Sequence, residues 1–130
     1  MTQKMKENIC PVLIVDDDND LCLILERVIT DKCSVHVEHN LKSAEYYLAK
    51  LEPTIILLDN DLPDGTGVRS IRHILSDHPR VKIVLMTADD SKGLQERAIQ
   101  EGAVQFIAKP FQASRINEII FSLCPELNAA

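Results

Sequence analysis

The stretch TIILLDNDLPDG, from Thr54 to Gly65, decides the fold because its apolar run is followed directly by acidic residues. Ile55 to Leu58 is continuously apolar, which is typical of a strand covered on both faces in a parallel sheet. The run stops at Asp59, and Pro63 and Gly65 then turn the chain. Either the strand simply meets water at Asp59, or this carboxylate is held there to do chemistry.

Four more apolar runs predict strands, and each run is followed by a helical pattern. One of them, Val35 with Val37, alternates with polar residues and indicates an edge strand; the others are Val12 to Val15, Ile83 to Met86 and Val104 to Ala108. Apolar residues at helical spacing predict five helices. The stripes are Leu21/Ile24/Leu25/Val28/Ile29, Leu41/Ala44/Leu48/Leu51, Val68/Ile71/Ile74/Leu75, Leu94/Ala98 and Ile116/Ile119/Ile120/Leu123.

Strands and helices therefore alternate five times, a (βα)₅ order with short connections. This order predicts an α/β fold with helices on both faces of an open, five-stranded parallel sheet. Right-handed crossovers favour the flavodoxin-like, doubly wound strand order 2-1-3-4-5. We expect one domain over residues 1–130, with an ordered core of about residues 9–124 and a frayed tail, CPELNAA, after Leu123.

Composition narrows the range of functions. The 130 residues carry a net charge of −6, which argues against direct nucleic-acid binding by this domain. No apolar run is long enough to span a bilayer, and the first residues lack the pattern of a secretion signal. We therefore expect a cytoplasmic location. The four cysteines are scattered without metal-ligand spacing and are expected to be buried or half-buried thiols.

Chemistry-bearing side chains stand where the predicted strands end. Asp16 and Asp17 follow the first strand and Asp59 ends the third, while Thr87 ends the fourth and Lys109 follows the fifth. Ligands bind at the carboxyl ends of strands in open α/β sheets, so we expect these groups at one edge.

Grouped carboxylates repel one another, which raises a pKa or recruits a cation. With oxygen ligands only, that cation would be Mg²⁺. A carboxylate such as Asp59 can also accept a phosphoryl group as an aspartyl-phosphate, with Thr87 and Lys109 binding the phosphoryl oxygens.

Four motifs carry a resemblance to a known family. VDDD after the first strand, LLDNDLPDGTG around the third, VLMTA on the fourth and AKPF after the fifth resemble the receiver domains of two-component response regulators. The likeness runs from about Pro11 to Leu123. Each motif alone is weakly informative, but their order and spacing together are highly specific.

The resemblance implies a role for each matching residue. Asp59 would accept a phosphoryl group from the phosphohistidine of a histidine kinase. Asp16 and Asp17 would organise Mg²⁺, with the backbone carbonyl of Asp61 completing the metal ligands. Lys109 would pair with the phosphoryl group, and its peptide bond to the following proline would be cis.

Two residues would couple phosphorylation to a change in conformation. Thr87 would be the switch hydroxyl, and Phe106 would be the aromatic residue that turns inward. Phe106 also suits a plain core position, and both roles can hold together. In the family, the side chain at the position of Asp61 bears on the dephosphorylation rate, and a carboxylate there would either hold a water in line or repel anions.

Two other functions compete with this one. A haloacid-dehalogenase-type phosphatase also uses a strand-end aspartate, but there the acidic pair comes last in the chain and Pro63 departs from the motif. A pseudo-receiver would be a protein-binding module with a silent site, although such modules typically lose Asp59 or Lys109.

The expected partners are a histidine kinase and an output domain or downstream protein. We expect the output to leave through the face formed by the fourth helix, fifth strand and fifth helix, with a homodimer as a further possibility. VLMTADD and AIQEGAVQFIAKPF are most similar to receivers of transcription activators, which favours a transcriptional output.

Overall fold

The structure, a computed structural model, describes residues 9–128. Five long strands form one parallel sheet: β1 Cys10–Val15, β2 Cys33–Glu38, β3 Ile55–Asp59, β4 Lys82–Thr87 and β5 Gln105–Ala108. Their order is β2-β1-β3-β4-β5, and every neighbouring pair is parallel. The predicted flavodoxin-like order 2-1-3-4-5 is confirmed.

Burial along the strands follows their place in the sheet. Every residue of the central strand β3 is buried, as its continuous apolar run requires. The edge strand β2 alternates between exposed and half-buried positions, and Val35 and Val37 are among the half-buried ones. A two-stranded ribbon, Asp61–Leu62 with Gly65–Thr66, follows β3 and was not predicted.

Five helices cover the two faces of the sheet: α1 Asn19–Val28, α2 Leu41–Leu48, α3 Gly67–Asp77, α4 Lys92–Glu101 and α5 Ala113–Leu123. The first and last helices pack on one face, where Leu25, Ile116 and Ile120 are fully buried. The middle three pack on the other face through residues such as Leu48 and Ile71. The doubly wound architecture is thus confirmed.

Some apolar residues lie elsewhere than the sequence pattern predicted. Ile24 is 55% exposed, because α1 turns Cys22, Leu25 and Ile29 to the sheet and Ile24 lies about 100° around the helix from Leu25. Leu51 lies beyond the end of α2 and is also exposed. These two predictions of buried positions were wrong.

Side chains cap the amino ends of some of the helices. Asp18 caps α1 by accepting a hydrogen bond from the backbone N–H of Leu21, and Ser91 caps α4 through Leu94. By contrast, α5 begins after Gln112, which makes no capping bond with its side chain.

The carboxyl-terminal segment differs from the predicted frayed tail. A 3₁₀ turn, Pro125–Asn128, follows α5, and Leu127 is only 6% exposed. The Lys82 ammonium donates to the carbonyl oxygen of Leu123 at 2.6 Å. Phe121 on α5 is half-buried against the core. Residues 129 and 130 of the predicted tail lie outside the described part of the chain.

The cysteines also differ from expectation. Cys10 at the start of β1 and Cys124 after α5 are joined by a disulfide, although they are 114 residues apart in sequence. Only the packing of α5 beside β1 brings them together. Cys22 and Cys33 are free thiols, as predicted for all four.

Candidate functional site

Three aspartates converge at the carboxyl end of the sheet. Asp16 follows β1 and is fully buried, Asp59 ends β3 and is 4% exposed, and Asp17 is exposed. Carboxylate oxygens of the three residues lie within 4.8 Å of one another. This brings together the acidic pair and the strand-end aspartate that the sequence singled out.

Lys109 bridges the two buried carboxylates. Its ammonium donates to Asp16 Oδ2 at 2.8 Å and to Asp59 Oδ1 at 3.1 Å. The backbone N–H of Lys109 donates to the Thr87 carbonyl, which fixes the residue directly after β5. The Lys109–Pro110 peptide bond is cis, as the resemblance implied.

Electrostatics set Asp59 apart from an ordinary carboxylate. Burial raises the pKa of Asp59 to about 6, and the negative charge of Asp16 adds to this, while Lys109 opposes it. Burial by itself lowers the pKa of Lys109, but its hydrogen bonds and charge attraction with Asp16 and Asp59 outweigh burial and raise it. One ammonium therefore does not fully compensate the buried negative charge.

Thr87 ends β4 beside this cluster and is fully buried. Its hydroxyl oxygen accepts a hydrogen bond from the backbone N–H of Asp89 at 3.1 Å. Ala88 between them is exposed and adds only a methyl group, so the entrance to the site stays open. Phe106 on β5 is half-buried and packs against the core of the middle three helices. That position fits both interpretations left open for Phe106.

The segment after Asp59 is held by residues that the sequence did not single out. The backbone N–H of Asn60 donates to Met86, and Asn60 Oδ1 accepts from the N–H of Val68 in the first turn of α3. A Cβ at Gly67 would lie 2.4 Å from the Asp59 carbonyl oxygen, so only glycine fits there. The second glycine of the DGTG motif is the sequence signal from which this close approach could have been predicted.

Asp61 and Asp64 belong to the same segment. Asp61 is exposed, at the start of the ribbon. The carboxylate of Asp64 accepts hydrogen bonds from the backbone N–H groups of Leu41 and Lys42 at 2.8 and 2.9 Å. The hydrogen bond from Leu41 is the main cause that lowers the pKa of Asp64. The sequence reading missed Asp64, because its partners lie on another helix.

The donor set fits a hard divalent cation. Asp16, Asp17 and Asp59 offer carboxylate oxygens only, which Mg²⁺ prefers, and within residues 9–128 no other group of three such ligands comes together. The raised pKa of Asp59 also marks a site where added positive charge is favourable. The exposed Asp17 leaves one side of the cluster accessible to water and ligands.

None of the helices in the described part of the chain has the length and hydrophobicity to span a bilayer. The cytoplasmic location stays a prediction.

Sequence comparison places this geometry among known proteins. The family model for the response regulator receiver domain matches residues 12–121. The chain is 30% identical over 112 residues to the chemotaxis protein CheY of Listeria monocytogenes, covering 84% of this chain and 93% of that protein. It is 32% identical over 109 residues to the response regulator PilR of Pseudomonas aeruginosa, covering 83% of this chain but 24% of PilR.

Solved structures agree with the fold. A two-component response regulator of Clostridium difficile superposes with a TM-score of 0.86 at 22% identity, covering 92% of this chain and 99% of that one. The beryllofluoride-activated NtrC4 receiver domain dimer gives a TM-score of 0.84 at 29% identity, covering 90% and 98%. The extent of the family match, the sheet order and the arrangement of strand ends lead to one conclusion: this chain belongs to the response regulator receiver domain family of two-component signalling.

Proposed function

We propose that Asp59 accepts a phosphoryl group from a histidine kinase in a Mg²⁺-dependent reaction. The observation that carries this proposal is the buried Asp16–Lys109–Asp59 cluster at the carboxyl end of the sheet. Because burial raises the pKa of Asp59, the free carboxylate anion is disfavoured at this position. Transfer of the phosphoryl group moves the negative charge outward, toward groups that can bind it.

The chemistry is a displacement at phosphorus. An oxygen of ionised Asp59 forms a bond to the phosphorus of the donor phosphohistidine as the P–N bond breaks, and the imidazole leaves with the electron pair. The product is a mixed anhydride, an aspartyl-phosphate. Bound Mg²⁺ would be held by Asp16, Asp17, Asp59 and the Asp61 carbonyl, and supplies positive charge for the phosphoryl oxygens.

Lys109 and Thr87 would act on the product. The Lys109 ammonium already lies 3.1 Å from Asp59 Oδ1, so a short movement of its flexible side chain would bring it to a phosphoryl oxygen. The oxygen of the Thr87 hydroxyl accepts from the backbone N–H of Asp89, and its O–H would donate to a phosphoryl oxygen. These are charge-assisted hydrogen bonds, which hold a phosphoryl group more strongly than neutral ones.

Incubation with Mg²⁺ and a small acyl-phosphate donor tests the proposal. The intact chain should gain the mass of one phosphoryl group, and Asp59→Asn should gain none. Many phosphates released per chain would instead support the phosphatase alternative, and no gain under any condition would support a pseudo-receiver and overturn the proposal.

The ionisation of Asp59 supplies a second test. Without divalent cations, its carboxyl resonance should titrate with a pKa of about 6, well above the ordinary aspartate value of 3.8. Added Mg²⁺ should lower that pKa, because a nearby cation favours the carboxylate. A midpoint near 4 in the absence of metal would contradict the burial-based explanation.

The effect of phosphorylation would reach a partner through the surface formed by α4, β5 and α5. In α4, Ala98 is the one fully buried residue, so this helix is weakly packed and can move at low cost. Ile99 on α4 and Val104 just before β5 are both about half exposed, which supports a partner site on these elements. Hydrogen exchange across residues 88–108 should change on phosphorylation; identical exchange would contradict this route.

A transcriptional output and a homodimer are further parts of the proposal. Likeness to PilR and to a regulator named NtrC supports the first, although the chain spans only 24% and 21% of those proteins. The NtrC4 receiver dimer supports the second. Light scattering with and without phosphoryl donor tests dimerisation: a mass that stays monomeric in both states would contradict it.

A further inference from the structure

The residue that the sequence left unexplained, Asp64, links two separate parts of the site. Asp64 lies at the tip of the ribbon that follows Asp59, between Leu62 and Gly65. Its two carboxylate oxygens each accept one hydrogen bond, Oδ1 from the N–H of Leu41 and Oδ2 from the N–H of Lys42. These are the first two amides of α2, which have no partner inside the helix.

The amino end of α2 is completed by a second side chain. Asn40 caps the helix by accepting from the N–H of Ser43 at 2.7 Å. Asp64 and Asn40 therefore divide the free amides of the first turn between them. The favourable end of the helix dipole adds to the attraction for the Asp64 carboxylate. A carboxylate suits this place better than an amide, because it presents two acceptor atoms to two donors.

The ribbon is attached at its base as well as at its tip. Asn60 anchors the base, accepting from the N–H groups of Val68 with its side chain and Gly67 with its backbone carbonyl. Asp64 anchors the tip, and a Cβ at Gly65 would lie 3.0 Å from Leu41 Cδ1, so the tip also packs closely on α2. Asp61 lies between the two anchors.

The segment before α2 contacts the acidic pair from the other side. His39 Nδ1 donates to the backbone carbonyl of Asp16 at 2.9 Å. The segment from His39 to Lys42 thus contacts Asp16 at one end and, through Asp64, the ribbon with Asp61 at the other. This arrangement spans the two strands, β1 and β3, that carry the carboxylates.

We propose that Asp64 is a positioning residue that fixes the ribbon against α2 and thereby sets the Asp61 backbone carbonyl toward the cation. This inference rests on the proposed function, because it assigns Asp64 to the same cation site. Asp64 touches neither cation nor phosphoryl group and acts only through the backbone of its ribbon. Its lowered pKa, caused first by the hydrogen bond from Leu41, agrees with this bonding.

Asp64→Asn tests the inference without any phosphoryl donor. The amide keeps one acceptor but places N–H₂ against the second helix amide, so the tip loosens. We expect the dissociation constant for Mg²⁺, titrated by amide chemical shifts, to rise on the order of tenfold, the lower end for groups that orient a metal ligand. Amide exchange of Leu41, Lys42 and residues 61–66 should accelerate in the same variant.

Two control variants separate positioning from other effects. Asn40→Ala removes the other cap of α2 and leaves the Asp64 bonds in place, so it should destabilise the helix with little change in Mg²⁺ affinity. Asp31→Asn removes one exposed negative charge at the opposite end of the sheet and should change neither property. Asp64→Ser repeats the test if Asp64→Asn folds poorly.

Equal Mg²⁺ affinity in Asp64→Asn and the unsubstituted chain would overturn the inference, as would an equal loss in Asn40→Ala. Failure of the proposed function gives a different result. In that case the unsubstituted chain would take no phosphoryl group from an acyl-phosphate donor, whatever its affinity for Mg²⁺.

Discussion

The two ends of the sheet differ in how completely their charged and polar groups are paired. At the carboxyl end, two buried carboxylates share one ammonium, and burial together with their mutual repulsion raises the pKa of Asp59. At the amino end, polar groups are paired: Lys82 donates to the Leu123 carbonyl and the Asn117 side chain bonds two backbone groups of the α1–β2 connection. The carboxyl end therefore holds negative charge that one ammonium compensates only in part, whereas these polar groups at the amino end are hydrogen-bonded.

This difference separates function from stability within one sheet. Groups that are strained by burial and repulsion cost folding free energy and are relieved by a ligand of opposite charge. Polar groups whose hydrogen bonds are satisfied within the protein contribute stability and have no unmet interaction for a ligand to satisfy. Substitutions at the two ends should therefore differ in their dependence on Mg²⁺ and in their effect on phosphorylation. Removing a carboxylate charge at the carboxyl end should stabilise the protein, whereas removing a hydrogen-bonding group at the amino end should destabilise it.

Lys109→Ala should have the largest effect. It leaves Asp16 and Asp59 buried without a positive partner, and removing one member of a buried ion pair typically costs about 3–5 kcal/mol. Chemical unfolding without divalent cations measures the loss. Added Mg²⁺ should restore part of it, because the cation replaces the missing charge. A loss that Mg²⁺ does not reduce would contradict the charge explanation.

Asp59→Asn should stabilise the protein at neutral pH. The folded pKa of about 6 lies above the ordinary aspartate value of 3.8, so ionisation of Asp59 costs folding free energy as the pH rises through this window. The variant should gain up to about 3 kcal/mol at pH 7.5 without metal, and the gain should vanish below about pH 4. Unfolding curves at several pH values check the sign. A destabilised variant at pH 7.5 would argue that the Lys109 bond outweighs burial.

Asn117→Ala tests the amino end. Its side chain accepts from the N–H of Thr30 at 3.0 Å and donates to the carbonyl of Val28 at 2.8 Å, so the alanine variant leaves both groups unpaired. A loss of about 2 kcal/mol is expected, with unchanged Mg²⁺ affinity and unchanged phosphoryl acceptance. Impaired acceptance in a folded variant would mean that the two ends are coupled.

Lys82→Met should have the smallest effect. Methionine keeps most of the aliphatic chain but loses the bond to the Leu123 carbonyl. Because the ammonium is only partly buried, water can replace it, and a loss of about 1 kcal/mol is expected. The same unfolding experiment measures it. A loss that depends on Mg²⁺ would contradict a purely local role.

The sequence predicted the fold because strand and helix signals are local. The continuous run at Ile55 to Leu58 and the alternation of Val35 with Val37 are visible within a few residues, and right-handed crossovers then leave few sheet orders. Asp16, Asp59 and Thr87 were found by the same logic, since each stands at a strand end. The prediction was wrong for Ile24, because the apolar face assigned to α1 included this residue on the side of the helix, where it is exposed.

The sequence by itself determined which side chains the sheet presents at its carboxyl edge, because alternating strand and helix signals predict parallel strands, and parallel strands all end at the same edge. Only the tertiary structure decided how those side chains meet. Lys109 reaches Asp16 across 93 residues and Asp59 across 50, and Asp64 reaches Leu41 across 23. Such contacts depend on distances between elements that share no local pattern. The physical reason is that burial and hydrogen-bond geometry, unlike periodicity, are properties of the packed chain.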